Sequence, residues 1–138
     1  MTVGLDTNVL VRYLLEDDKQ QASVAQQHIQ QAVAEGHPVL ISLITLLETE
    51  WVLRSYGQCD KATVIQIFQT LLELRDVEIE QEESLEQALH YYKNSKADFA
   101  DCLMLSRYQR SGCSAMLTFD KTASSLPGCK LLEMGILQ

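Results

Sequence analysis

Several absences narrow this sequence. No apolar run approaches the roughly 20 residues that span a bilayer, and no basic start leads into an apolar stretch, because Asp6 interrupts it. The chain is therefore expected to be cytoplasmic and to have no membrane association. Cations are scarce: 11 Lys and Arg stand against 19 Asp and Glu, a net charge of −8. That balance argues against a broad basic face for non-specific nucleic-acid binding. It leaves open an enzyme that gathers carboxylates around a metal. Cys59, Cys102, Cys113 and Cys129 form no CxxC pair, so they read as free and mostly buried thiols. His28, His37 and His90 lack the spacing of zinc ligands. There is no internal repeat, low-complexity tract or dividing linker. At 138 residues and 46% hydrophobic content, the chain is expected to form one domain, 1–138, with a sizeable core.

What is present alternates between two hydrophobic periods. Thr2-Val3-Gly4-Leu5 reads as a short buried strand, and Val9 to Leu14 turns to helical spacing. After the acidic Glu16-Asp17-Asp18 turn, Ala22, Ala25, Ile29 and Ala32 mark one face of a second helix, which Gly36 ends. Val39-Leu40-Ile41 is a strand, and Ser42 is placed to cap a helix that runs to Tyr56-Gly57 and is apolar nearly all round. Asp60 is placed to cap the next helix, with Val64, Ile67, Phe68, Leu71 and Leu72 inward. Val77 to Glu80 alternates like a strand near a sheet edge. Helices follow over 82–94, with Leu85, Ala88, Leu89 and Tyr92 inward, and from Ala97 to about Ser111. Ala115 to Phe119 reads as a buried strand, and a last strand includes Lys130-Leu131-Leu132. Strands alternating with helices predict an α/β fold: a central, mostly parallel sheet of about four to five short strands, flanked by helices on both faces.

Four acids occupy unusual places in this pattern. Asp6 and Asp120 end strands, and open α/β sheets keep their chemistry at the carboxyl ends of strands. Glu48 interrupts an apolar helix, and Asp101 lies among Phe99, Leu103 and Leu105. Gathering several carboxylates is costly, because like charges raise one another's pKa. A bound Mg²⁺ or Mn²⁺ offsets that cost and suits phosphodiester hydrolysis. Each acid also has a simpler role. Asp6 can cap the helix behind it. Glu50, two residues from Glu48 and on another face, can be the inward acid instead. Asp98 can cap its helix, with Asp101 an exposed acid in the first turn. Asp120 can be a turn residue.

The motifs Leu5-Asp6-Thr7-Asn8-Val9-Leu10, Leu47-Glu48-Thr49-Glu50-Trp51-Val52-Leu53, Ala97-Asp98-Phe99-Ala100-Asp101-Cys102-Leu103 and Leu117-Thr118-Phe119-Asp120 occur in this order along nearly the whole chain. In them the chain resembles PIN domains, and among these the toxin ribonucleases of bacterial toxin–antitoxin pairs. The resemblance implies a PIN-like fold and a Mg²⁺- or Mn²⁺-dependent endoribonuclease. Asp6 and Asp101 match primary metal ligands. Glu48, Asp98 and Asp120 match secondary or water-mediated positions, and Asp6, Glu48, Asp101 and Asp120 form the implied catalytic set. Thr7, Asn8 and Thr118 match polar positions that orient the acids by hydrogen bonds. Phe119 departs from the Arg-Asn that many members carry near the last aspartate. RNA as substrate, a small antitoxin and a homodimer are also implied.

Arg12, Lys93, Lys96, Arg107, Arg110 and Lys121 lie close in sequence to these acids. They can hold phosphates beside the metal, or be solvated helix ends, which suits Arg107 and Arg110. Trp51 and Phe68 lie on apolar helical faces and read as core or interface rather than as a base-stacking platform. The apolar helix around Glu48, with the helix after it, is the expected dimer or antitoxin surface. A housekeeping PIN nuclease, or a PIN-like domain that binds RNA or a partner without turnover, fits the same residues. An aspartate-nucleophile phosphatase fits poorly, because residue 8 is Asn where a second Asp is needed. A phospho-accepting signalling domain fits poorly too, because the acids fall on late helices.

Overall fold

The computed structural model describes residues 2–134. The chain forms two compact units, Met1–Glu82 and Glu83–Gln138. Their elements alternate as the two hydrophobic periods require, and all five described strands pair in parallel.

The first unit contains β1 (Val3–Gly4), α1 (Thr7–Leu15), α2 (Lys19–Ala34), β2 (Val39–Ile41), α3 (Leu43–Ser55), α4 (Lys61–Glu73) and β3 (Val77–Ile79). The sheet order is β1-β2-β3, with Val3 opposite Val39 and Val39 opposite Val77. β2 is central and its Val39 and Ile41 are buried, as a strand paired on both sides demands. β3 lies at the edge, as its alternation predicts. β1 also lies at an edge, and Val3 is exposed, so the expectation of a buried first strand is corrected.

Helix starts in this unit are set by local chemistry. The carboxylates of Asp6, Asp18 and Asp60 accept from backbone N–H groups three residues on, and the Ser42 hydroxyl does the same for Thr45. Each cap supplies a partner to an N–H that a helix start leaves unpaired. Gly36, at φ +81°, terminates α2 in the left-handed region that a residue without a Cβ enters freely. Beneath the sheet, Leu10, Leu46, Leu53, Val64 and Phe68 are fully or almost fully buried, and α1 packs on both α2 and α3.

The second unit contains α5 (Glu82–Lys93), α6 (Phe99–Arg110), β4 (Met116–Thr118), a 3-10 turn (Ala123–Ser125) and β5 (Cys129–Leu131). The inward set on α5, Leu85, Ala88, Leu89 and Tyr92, is buried as its spacing predicts. Tyr92 meets Phe99 of α6 with ring centroids 5.5 Å apart. Polar contacts also bind the two helices: Ser106 Oγ donates to the Ser84 carbonyl at 2.9 Å, and the Tyr91 hydroxyl donates to Gln109 Oε1 at 2.7 Å. β4 and β5 form a two-stranded sheet with Met116 opposite Cys129 and Thr118 opposite Leu131. Gly128, at φ +101°, lies so close to α6 that a Cβ there would sit 2.6 Å from Gln109 Nε2. The positive φ is what favours glycine here, since the Gln109 amide is the end of a flexible side chain and can move. In β4, Met116 is buried but Leu117 is exposed, as is Phe119 beyond it, so this strand is half-covered rather than buried. The pleat turns successive residues to opposite faces, and a two-stranded ribbon need not be covered on both.

The four cysteines are free, as expected, but Cys102 alone is buried; Cys59 and Cys129 are half-buried and Cys113 is exposed.

Candidate functional site

In the first unit, Asp6 follows β1 and caps α1: its Oδ1 accepts from Val9 N at 3.0 Å. The cap uses one carboxylate oxygen, so capping and metal ligation are not exclusive. Thr7 and Asn8 open α1 immediately behind it. Glu48 is exposed on α3. Glu50 is the inward acid of the pair, 2% exposed, and accepts from Nε and Nη2 of Arg54 one turn on, with Nη2 to Oε1 at 3.2 Å. Two residues apart on a helix means about 200° of rotation, so packing α3 through Leu46, Thr49 and Leu53 puts Glu50 inside and Glu48 out.

A hydrogen-bond chain connects the strand end below Asp6 to the start of α3. Thr45, 8% exposed, donates its hydroxyl to the Leu5 carbonyl at 3.3 Å. With that proton committed, Ser42 is the donor in its 2.9 Å contact with Thr45 Oγ1. Thr45 and Glu48 lie three residues apart and share a helix face. Glu80, after β3, adds a second cap: its Oε1 accepts from Leu43 N at 3.1 Å. Sequence reasoning missed Glu80, since a contact across 37 residues leaves no local pattern.

In the second unit, Asp98 occupies the N-cap position of α6 but makes no side-chain cap bond. Its expected capping role is therefore not made through the carboxylate. Asp101 is half-buried in the first turn. Burial pushes its carboxyl pKa up, and the charges of Asp98 and then Asp120 push it further. These three acids, from a helix start and the end of β4, thus act on one another electrostatically. Asp120 has its own scaffold: Oδ1 accepts from Thr122 N at 2.8 Å, while Thr118 Oγ1 accepts from Asp120 N at 3.0 Å. Asp120 is a turn residue and a member of the acidic group at once. Cys129 joins this neighbourhood, its thiol pKa raised by burial and then by the Asp101 charge. The pairing of β5 with β4 places it there, and nothing in the spacing of the cysteines signalled it.

The cations are largely engaged. Arg12 Nη1 holds both oxygens of Asp17, at 2.9 and 3.1 Å, and its Nε donates to Gln21 at 2.7 Å. Arg110 pairs with Glu83 at 2.6 Å, and Arg107 Nη1 donates to Ser84 Oγ at 3.4 Å. Lys93, Lys96 and Lys121 are exposed. Of the two roles expected for these rings, core or interface, Phe68 is core, while Trp51 is exposed, which excludes core for it, and meets Tyr56 edge-on at 5.5 Å. Ile44 is exposed too, seven residues before Trp51 on the same face of α3, with Glu48 between them.

Among the described residues, no group of three or more His, Cys, Asp or Glu side chains is arranged to hold a metal ion. The donor chemistry nonetheless fits a hard cation. Mg²⁺ takes one or two carboxylates, keeps several waters and completes its shell with substrate phosphates, so it needs no closed protein cage. In the second unit Asp101, its pKa raised by burial and then by the charges of Asp98 and Asp120, gains from such a charge.

A family model described as PIN domain matches residues 3–128. No curated protein matches the chain.

Proposed function

Because the chain belongs to the PIN domain family, a nuclease-type fold that generally uses divalent metal ions, we propose that it is a metal-dependent endoribonuclease. Residues 1–138 act in this reading as one cytoplasmic nuclease domain. What supports it is the setting of Asp101, half-buried in the first turn of α6, where burial and then the charges of Asp98 and Asp120 raise its pKa. Uncompensated like charges at a half-buried position call for a bound cation.

In this reading Asp6 and Asp101 would be the primary ligands of Mg²⁺ or Mn²⁺, and Glu48, Asp98 and Asp120 would complete the negative charge. When bound, such an ion lowers the pKa of a water and polarises the phosphoryl oxygen. The chain's own part is positional. The Val9 N–H holds one oxygen of Asp6, and the Thr122 N–H holds one of Asp120, so each carboxylate has a fixed second oxygen to offer. Thr118 steadies the backbone at Asp120. Thr7 and Asn8 belong to the same supporting set. No His or Lys falls within the motifs to act as general base, and an ion held by these carboxylates would supply that chemistry.

The biological role proposed is that of the toxin in a toxin–antitoxin pair, working as a homodimer and silenced by a small antitoxin. The exposed Ile44, Trp51 and Tyr56 support an interaction face on α3. Purified protein should cleave single-stranded RNA with Mg²⁺ or Mn²⁺. Asp6→Asn and Asp101→Asn should each reduce cleavage at least about 100-fold, equivalent to roughly 2.7 kcal/mol, and a chelator should abolish it. Equal cleavage by wild type and both variants, or indifference to chelator, overturns the nuclease reading. Growth arrest on induced expression, relieved by Asp101→Asn, separates a toxin from a housekeeping enzyme.

A further inference from the structure

Beside Asp6 the first unit opens a groove of about 670 Å³ between α1 and α2. Asp6 and Asn8 line it from the start of α1, and Val9 and Arg12 continue that wall. Gln20, Val24 and His28 face it from α2. Val9 and Val24 are both exposed there.

The chemistry of this lining selects its occupant. Arg12 has committed Nη1 to Asp17 and Nε to Gln21. Those bonds tie α1 to the start of α2 and occupy the Nε and Nη1 donors that a bidentate phosphate clamp would use. Asp18 lies in the same lining and repels an anion, while Asp6, at the start of α1, is the residue assigned to the metal. What remains is a pair of β-branched apolar surfaces with the neutral amides of Asn8 and Gln20 and the imidazole of His28. Apolar faces beside paired donors and acceptors fit a flat heterocycle with a polar edge, and an unstacked base of single-stranded RNA offers its Watson–Crick and Hoogsteen edges to such groups.

We infer that this groove is a nucleobase subsite, taking one base of the RNA next to the bond cut at Asp6, with Asn8, Gln20 and His28 reading the base edge. It rests on the nuclease reading for its role, but not for the binding itself. Val9 and Val24 contact the face of the base. The subsite confers a sequence preference at one position flanking the cut, and it acts on the uncharged part of the nucleotide.

The test uses the isotopically labelled full chain, free of metal, titrated with adenosine, guanosine, cytidine and uridine in turn and followed by amide NMR. Saturable shifts at Asn8, Val9, Gln20 and Val24, largest for one nucleoside, are expected. Val24→Arg, an exposed position that tolerates the longer side chain, should abolish them. Gln69→Arg, on the exposed side of α4, should leave them intact. The same Val24→Arg protein should cut RNA with a flattened base preference at one flanking position. No saturable shift with any nucleoside overturns the subsite and leaves the groove to a peptide partner. Shifts reproduced by inorganic phosphate, or retained in Val24→Arg, overturn it equally. The titration needs no turnover, so the two readings fail separately: a cutting enzyme with a silent groove refutes the subsite alone, and a responsive groove in an inactive protein refutes the nuclease alone.

Discussion

The Thr45 hydroxyl donates to the Leu5 carbonyl, tying the residue before Asp6 to the helix that carries Glu48. Thr45 and Ser42 exchange further bonds at the start of α3, through Thr45 N to Ser42 Oγ at 3.1 Å and between the two hydroxyls. Thr45→Val keeps the volume and removes the hydroxyl, leaving the Leu5 carbonyl without this donor in a part-buried setting. The expected cost is about 1–3 kcal/mol in urea unfolding. Thr45→Ser should recover most of it. If the valine variant unfolds at the wild-type midpoint, the bond contributes nothing to the strand–helix connection.

Glu50 is buried against Arg54 inside a helix turn. Arg54→Met keeps the aliphatic stem but removes the charge that compensates a desolvated carboxylate. A loss of up to about 3 kcal/mol is expected. Glu50→Gln, which removes the buried charge instead, should cost less. Chemical denaturation of the two variants side by side checks the order, and the reverse order would show that Arg54 is dispensable.

Asp101 makes stability and function pull in opposite directions. Burial and the charges of Asp98 and Asp120 raise its pKa in the folded chain above the ordinary 3.8. The folded state then binds more protons than the unfolded state between those two values, so metal-free stability falls as pH rises through them. That penalty is fully relieved below 3.8 and fully present above the folded pKa. Asp101→Asn should therefore raise the metal-free Tm at neutral pH and flatten that part of the pH profile. It should also weaken Mn²⁺ binding in calorimetry. A variant no more stable than wild type without metal would show that the acids do not repel one another.

Asp60 has the opposite sign. The bonds it accepts from Thr63 hold its pKa below 3.8. Its contribution is present above 3.8 and disappears as pH falls through the depressed folded value. Asp60→Ala should lower the Tm at neutral pH, and the gap to wild type should close in acid. Thermal melts across the acid range read this directly, and a constant gap would assign the effect to helix propensity instead of the carboxylate.

Much of this was legible locally. The caps at Ser42 and Asp60 and the inward faces of α2 and α5 depend on residues a few positions apart, so a linear pattern records them. The parallel pairing followed from alternation of the two periods. The acids could be named because their motifs resemble a family's, but what surrounds each one depends on partners far along the chain. Thr45 reaches Leu5 across 40 residues and Glu80 reaches Leu43 across 37. Cys129 lies beside Asp101 because β5 pairs with β4.

The choice between Glu48 and Glu50 marks the boundary most clearly. The sequence by itself determined that they occupy different faces of one helix, because two residues subtend about 200° of turn. It could not say which face is inside, because α3 is apolar nearly all round and no stripe points to the core. Tertiary packing decided it by burying Leu46, Thr49 and Leu53, which takes Glu50 into an ion pair with Arg54 and leaves Glu48 to solvent. Asp6 divides the same way. Its place between a strand and a helix is written in its neighbours, while the groove beside it exists because α2 folds back against α1.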